Sequence, residues 1–261
     1  MNYFLMNSIR SPQVTKNITR LFCEVNLAKL YESKGYYDLT KDQIHYLIDV
    51  KRSKESDQIN LIDGRSGEFR CQIIQFSKKT VRLKINHIIT EAVVPSDLIV
   101  LFSPIKKSRT DFIIEKCVEL GVKTIIPIIS DYTDIHNFNK KRSKKVMISS
   151  VQQCGSTWMP NLLELNKLEN VLKDWDPERI LFFCDEKLKG DPILKVFNNL
   201  DPYPAAILVG PEGGFSKKES EFIDNLSFVK KVSLGKQILR AETAMVAAVS
   251  IWQSYFGKWN D

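Results

Sequence analysis

From residue 81 to residue 86 the chain alternates, with Val81, Leu83 and Ile85 apolar and Arg82, Lys84 and Asn86 polar. A period of two marks a strand with one buried and one solvated face. Just upstream, INLID, the glycine-containing turn GRSGE and FRCQIIQF read as two further strands. Short strands joined by glycine turns predict a small antiparallel barrel. Its outward face is basic, which suits either RNA or an ordinary solvated surface. At Leu98 the texture changes. LIVLFSP is a continuous apolar run, and TDFIIEKCVELG sets Phe112, Ile113, Lys116, Cys117 and Leu120 at helical spacing ahead of a capping Gly121. VKTIIPII follows as another apolar strand. Strand, helix, strand with apolar strands predicts a parallel sheet covered on both faces. The proline-containing stretch HIITEAVVPSD separates the two textures, so the chain divides into a barrel over residues 1–90 and an α/β domain over residues 91–261.

The α/β pattern continues with RILFFCD as a buried strand, then AAILVG as a strand running into the turn PEGG. A helix begins at about Lys217, where Ser216 and Glu219 make a capping box that satisfies the free N–H groups of its first turn. FVKKVSLG is the next strand, and the loop KQILRAE feeds the apolar helix TAMVAAVSIWQSYFG. In that helix Ala244, Ala247, Ala248, Ile251, Trp252 and Tyr255 form a stripe that Met245, Val246 and Val249 widen. Burial on more than one side is expected, either inside the domain or at a subunit interface. Two parallel strands ending side by side in glycine turns would place their loops at the C-terminal edge of the sheet, where α/β folds bind ligands. GPEGGFSKKE is neither a Walker loop nor a dinucleotide loop, and Glu212 would repel phosphate. Gly210, Gly213 and Gly214 either let bare backbone approach a flat ligand or serve only a tight turn.

Composition narrows the function. Hydrophobic residues make up 43% of the 261-residue chain, the content of a globular core-former. No apolar run approaches the roughly 20 residues of a membrane span, and MNYFLMNSIR has no signal-peptide core. The five cysteines form no Cys-x-x-Cys pair and the three histidines, His45, His87 and His136, have no ligand spacing. These features suit a reducing cytoplasm and a metal-free mechanism. The net charge of +7 makes a polyanion partner such as nucleic acid plausible. Lys140, Lys141, Arg142, Lys144 and Lys145 open a helical segment, where cations oppose the macrodipole by about 0.3–1 kcal/mol each. Either that cost serves an anionic partner, or the helix end is simply solvated.

LVGPEGGFSKKE together with SLGKQILRAETA resembles the paired C-terminal motifs of the bacterial methyltransferases that modify the ring N3 of a uridine in 16S (small-subunit) ribosomal RNA, within the SPOUT class. EKCVELGVKTIIPI and QQCGSTWMP are similar to two further motifs of that family, and ITRLF, HYLIDVKR and INLIDG to its N-terminal barrel. The resemblance spans nearly the whole chain. It implies a PUA-like β-barrel that binds RNA, followed by a SPOUT domain with a parallel sheet and a deep trefoil knot. It also implies S-adenosyl-L-methionine as cofactor, and a homodimer formed partly through the last helix. By position, Val209, Gly210, Pro211, Glu212, Gly213 and Gly214 belong to one cofactor-binding loop, and Leu234, Gly235, Ile238, Leu239, Arg240 and Thr243 to the other. Backbone groups of Leu234, Ile238 and Leu239 would read the adenine edge.

The reaction requires loss of a weakly acidic N–H and in-line approach to the sulfonium methyl, so positioning and charge stabilisation supply most of the rate. Arg240 and Glu212 are the catalytic candidates, Arg240 for the uracil anion and Glu212 for the proton. Arg240 would otherwise pair with Glu242 or Glu212 in a structural salt bridge, or with the cofactor carboxylate or an RNA phosphate. Gln237, Ser156 and Trp158 stand where the family often has basic residues, and DYTDI lacks an arginine often found there. The 140–145 run is expected to compensate in anchoring RNA. A non-catalytic RNA-binding or ribosome-assembly protein of the same fold, or methylation of a different RNA, are the alternative readings.

Overall fold

The computed structural model describes residues 18–55, 57–134, 138–185, 190–201 and 204–260. The N-terminal stretch MNYFLMNSIR and His136 lie outside the described residues. The first five strands are β1 (Thr19–Phe22), β2 (Tyr36–Asp38), β3 (Gln58–Ile62), β4 (Glu68–Phe76) and β5 (Val81–Thr90), in the sheet order β1-β3-β4-β5-β2. Helices α1 (Leu27–Glu32) and α2 (Lys41–His45) lie between β1 and β3, and a π-helical turn, Tyr46–Val50, extends the second. The alternation read in β5 is present. Val81, Leu83 and Ile85 join Leu27, Leu47, Ile59, Leu61 and Phe69 in one apolar cluster. On the outward face Arg82 makes a two-pronged ion pair with Asp38, at 2.6 and 2.8 Å.

One expectation fails, because the sheet is not wholly antiparallel. β1 runs parallel to β3, with Thr19 opposite Ile59. The chain between them passes through α1, β2 and α2 instead of a hairpin turn, and such a crossover can return a strand in the same direction.

The second sheet is built from β6 (Leu98–Phe102), β7 (Thr124–Ile129), β8 (Asn161–Leu162), β9 (Asn166–Lys167), β10 (Ile180–Cys184), β11 (Asp191–Pro192), β12 (Ala205–Val209) and β13 (Val229–Ser233). The order is β11-β13-β10-β12-β6-β7-β8, with β9 paired to the end of β7, and every pairing is parallel. Helices α3 (Lys107–Glu119), α4 (Lys140–Cys154), α5 (Leu168–Lys173), α6 (Ile193–Phe197), α7 (Lys217–Asp224) and α8 (Ala241–Tyr255) complete it. The central strands β6, β7, β10 and β12 are almost wholly apolar because both faces are covered, whereas β13 carries Lys230 and Lys231 and the short edge strands are polar. In β12, Ala205, Ile207 and Val209 join the cluster formed with α3, α4 and α8, while Ala206 and Leu208 join the one formed with α5 and α7.

The sequence reading places α3, α4, α7 and α8 but not the short helices α1, α2, α5 and α6. Helix α3 starts at Lys107, earlier than the periodicity suggested, and turns Ile113, Ile114, Cys117 and Val118 inward. Phe112 is 40% exposed and lies beneath the Lys116 ammonium, 5.3 Å away. Helix α4 is capped by the Asn139 side chain, which accepts from the Arg142 N–H, and ends at Gly155 in the left-handed region, φ 72°. In α8, Ala244, Met245, Ala248, Val249 and Trp252 are buried, and the Gln253 amide donates to the Leu120 and Gly121 carbonyls at 2.7 and 3.2 Å. Ala247 and Ile251 are half-buried and Tyr255 is exposed, so this chain covers one face of α8.

The loop after α4 fastens the two sheets together. Arg65 stacks over the Trp158 ring at 4.2 Å, donates to the Asn161 side chain at 2.7 Å and also bonds the Met159 carbonyl. Val93, in the connecting segment, donates its N–H to Thr157 Oγ1 at 3.0 Å. Gly64 is required by this approach, since its φ is +72° and a Cβ there would lie 2.7 Å from that of Met159.

Candidate functional site

A cavity of about 500 Å³, measured out to its open mouth, lies at the C-terminal edge of the second sheet. Its walls come from four places: Cys184 and Asp185 at the end of β10; Val209, Gly210 and Pro211 at the end of β12; Val232 of β13 and Leu234 just beyond it; and Gln237, Ile238, Leu239, Ala241 and Ala244 from the following loop and the start of α8. The two glycine turns do face one pocket, but their strands do not end side by side. β10 lies between β12 and β13, so its own end, Cys184–Asp185, completes the pocket. Periodicity marks RILFFCD as a strand and is silent about strand order, so these two residues carried no signal.

The PEGG turn is shaped by what packs beneath it. Phe215 is 2% exposed and meets Phe183 edge-on at 5.2 Å between centroids. A Cβ on Gly210 would lie 2.5 Å from that ring, so only bare backbone fits. The Gly214 N–H closes the turn on the Pro211 carbonyl at 3.0 Å, and Gly214 has a φ of +70°. The capping box of Ser216 and Glu219 is present. Glu219 is 4% exposed and accepts the Asp131 N–H at 2.8 Å, while the Ser216 hydroxyl donates to Asp131 at 2.6 Å. These contacts tie the turn to the loop after β7. A Cβ on Gly213 would come 3.2 Å from that of Tyr132 in the same loop.

Of the residues expected to contact cofactor, Val209, Gly210, Pro211, Leu234, Ile238 and Leu239 line the pocket. Glu212, Gly213, Gly214, Gly235, Arg240 and Thr243 do not line it. Glu212, Gly213, Gly235, Arg240 and Thr243 are exposed. Gly235 has a φ of +127° with open space where a Cβ would point. Arg240 is the N-cap residue of α8 but makes no side-chain cap bond.

Both carboxylates considered as structural partners for Arg240 are held by another residue. Arg109, from α3, pairs with Glu212 and lies 3.5 Å from Glu242. Glu242 Oε2 is buried and, among the described residues, has no hydrogen-bond partner. Arg109 therefore bridges the turn after β12 and the start of α8, both of which contribute to the pocket wall. Nothing in its sequence neighbourhood, KKSRTDF, marked it for that role.

Most side chains lining the pocket are apolar, with Gln237 and one carboxylate, Asp185, among them and main-chain polar groups exposed between them. Asp185 is 6% exposed, and the Lys231 ammonium approaches it at 3.9 Å while pairing with Asp224 at 2.6 Å. Burial pushes the Cys184 thiol up to about 12, which removes it as a thiolate nucleophile near neutrality. Among the described residues, no hydrogen bond engages the main chain of Ile238 or Leu239, and Ile238 is 75% exposed. A slot of aliphatic side chains edged by free main-chain groups suits a flat heterocycle that hydrogen-bonds along its rim. Among the described residues, no group of three His, Cys, Asp or Glu side chains could hold a metal ion. No helix among them is long and apolar enough to cross a membrane.

Residues 93–253, which supply every residue of this pocket, match the RNA methyltransferase domain, and residues 39–86 match the RNA methyltransferase PUA domain. The chain belongs to the RNA methyltransferase family. It is similar to ribosomal RNA small subunit methyltransferase E of Buchnera aphidicola subsp. Schizaphis graminum, at 31% identity over 84% of this chain and 90% of that protein. The Rickettsia conorii protein of the same name is 28% identical over 85% of this chain and 91% of its own length. Among solved structures, a predicted RNA methyltransferase from Thermotoga maritima superposes with a TM-score of 0.69 at 27% identity, covering 89% of this chain and 96% of that one. Ribosomal RNA small subunit methyltransferase E from Neisseria gonorrhoeae, solved bound to S-adenosyl methionine, has the same fold, with a TM-score of 0.81 at 24% identity over 93% of this chain and all of that one. The methyltransferase domain thus contains the pocket entirely, and the β-barrel side contributes none of its walls.

Proposed function

We propose that the chain transfers a methyl group from S-adenosyl-L-methionine to the ring N3 of a uridine in small-subunit ribosomal RNA. The observation that carries this reading is the pocket walled by both glycine loops, with the main chain of Ile238 and Leu239 free at its rim. The residues present fit the cofactor. Val209, Val232, Leu234, Leu239 and Ala244 supply an apolar slot for adenine, and Asp185 suits a hydroxyl or ammonium donor. When bound, S-adenosyl-L-methionine supplies an electrophilic methyl group on sulfur.

The chain's own part is positioning and charge. Gly210 and Pro211 hold one side of the ligand, with Gly213 and Gly214 allowing the tight turn; Gly235 gives the facing loop its bend, and Arg240 and Thr243 stand at its rim. Arg240, exposed and without an ion-pair partner among the described residues, is placed to stabilise negative charge on the uracil ring. Glu212 takes the N3 proton directly or through water, with Arg109 fixing its carboxylate. We further propose a cytoplasmic homodimer, with the uncovered face of α8 around Ala247, Ile251 and Tyr255 at its interface, and the trefoil knot that the family resemblance implies. Residues 1–90 are proposed as the RNA-binding barrel and residues 91–261 as the catalytic domain.

The test is mass-spectrometric mapping of methylated uridines in ribosomal RNA from cells with and without this protein. One N3-methyluridine of small-subunit RNA should vanish and return on complementation. An unchanged pattern overturns the reading, and loss of a methyl group from another RNA reassigns the substrate.

A further inference from the structure

Five cations open α4, and the structure sorts them into two kinds. Lys140 pairs with Glu164, Arg142 with Asp111 at 3.0 and 3.1 Å through Nε, and Lys144 with Glu24 at 2.6 Å. These three tie α4 to the segment before β9, to α3 and to the loop after β1. Lys141 and Lys145, one helical turn apart and both exposed, have no anionic partner among the described residues. Together with Lys107 on α3 they rim a hollow of about 1050 Å³, whose apolar wall includes Pro104, Ile105 and Phe138. The single carboxylate in that lining, Asp111, is neutralised by Arg142. The hollow therefore has a net cationic rim over an apolar wall.

Its place in the fold gives it a purpose. Pro104 and Ile105 follow β6, which pairs in register with β12 up to Phe102 opposite Val209. The hollow thus opens at the same sheet edge as the pocket that begins at Val209. Arg109, two residues beyond Lys107, pairs with Glu212 in the turn after β12.

We propose that this hollow is an RNA-binding site, in which Lys107, Lys141 and Lys145 hold phosphates flanking the methylated nucleotide. The wall of Pro104, Ile105 and Phe138 packs against a sugar or base. A cationic rim alone would suit any polyanion; the adjoining apolar wall adds the contact that a nucleotide offers and a carboxylate-rich peptide does not. The inference rests on the proposed RNA substrate and specifies where that substrate runs.

The experiment measures binding of a small-subunit ribosomal RNA fragment by fluorescence anisotropy across a salt series. It compares the wild type, Lys141→Ala/Lys145→Ala, and Lys140→Ala/Lys144→Ala as a control with the same change in net charge. Each single-stranded phosphate contact contributes about 0.7 to the log–log salt slope, so the first pair should lower the slope by about 1.4. The control pair, whose charges are already engaged, should lower it by far less, and Lys141→Arg/Lys145→Arg should restore it. Thermal melts confirm that the variants fold. Equal slopes for the first pair and the wild type, or equal losses for both alanine pairs, would overturn the site. Methyl transfer to the same RNA by the wild type is scored separately. Its absence would count against the enzymatic reading, while the slopes still decide the site.

Discussion

Gly210→Ala is the sharpest probe of the pocket wall, because the added atom meets one identifiable obstacle. The new Cβ would lie 2.5 Å from Phe215 Cε2 and 3.1 Å from both Cδ2 and Cζ. That ring cannot retreat freely. It is 2% exposed and abuts Phe183, itself 1% exposed. Relief must come from moving the turn, and the turn carries Val209 and Pro211 into the pocket. Overpacking of this kind costs about 1–3 kcal/mol. If roughly half of that cost appears in ligand affinity, S-adenosyl-L-methionine should bind about 2- to 12-fold more weakly, at about 1.4 kcal/mol per tenfold. Urea unfolding should report the remainder as a lower midpoint with an unchanged slope. Phe215→Leu shortens the obstacle, so the double variant should recover affinity relative to Gly210→Ala and show a coupling energy of the sign expected for contacting residues. Calorimetry and denaturation on the four proteins of this cycle decide the matter. Wild-type affinity and stability in Gly210→Ala, or strict additivity with Phe215→Leu, would refute the claim that this ring fixes the turn.

Other consequences follow from the same contacts. Arg109→Met removes the bridge between Glu212 and Glu242 and leaves a carboxylate buried beside the pocket; a loss of about 1–3 kcal/mol is expected, and Glu242→Gln should recover part of it in urea titrations. Arg240→Ala should slow single-turnover methylation by about 10-fold or more while S-adenosyl-L-methionine affinity by calorimetry changes little, since Arg240 does not line the pocket. Burial pushes the Asp97 carboxyl up, but Arg179 at 3.0 Å and Lys123 at 3.4 Å outweigh it and hold Asp97 below its ordinary value. A depressed folded-state value means stability that is present above about pH 4 and is lost as pH falls through the folded value; the wild type's advantage over Asp97→Asn in thermal melts should shrink below that pH.

Features set by a few neighbouring residues were legible in the sequence. The alternation at 81–86, the capping box of Ser216 and Glu219, and the glycine turn at 210–214 each depend on local spacing, and each is found as read. Strand order is different, because it is settled by packing between segments far apart in the chain. The sequence cannot show that β10 lies between β12 and β13, and that placement is what brings Asp185 into the pocket. The same limit hid Arg109, whose partners Glu212 and Glu242 lie more than a hundred residues further along the chain.

The departures at Ser156 and Trp158 show how a local reading can assign a residue to the wrong task. Judged against the family motif, they look like missing contacts to RNA. In the fold, the Ser156 hydroxyl donates to the Trp158 carbonyl at 2.8 Å and accepts the Trp158 N–H at 3.2 Å, which sets the bend of the loop. Trp158 then offers its ring to Arg65. Partial burial holds the Arg65 guanidinium below its ordinary value, countered by the nearby Asp63 carboxylate, and because the side chain remains largely solvated its stacking over the indole is worth about 0.5–1 kcal/mol. A basic side chain at 158 would face Arg65 with like charge instead. The tryptophan therefore belongs to the joint between the two sheets, and the RNA contacts proposed above fall instead to Lys107 on α3 and to Lys141 and Lys145 on α4.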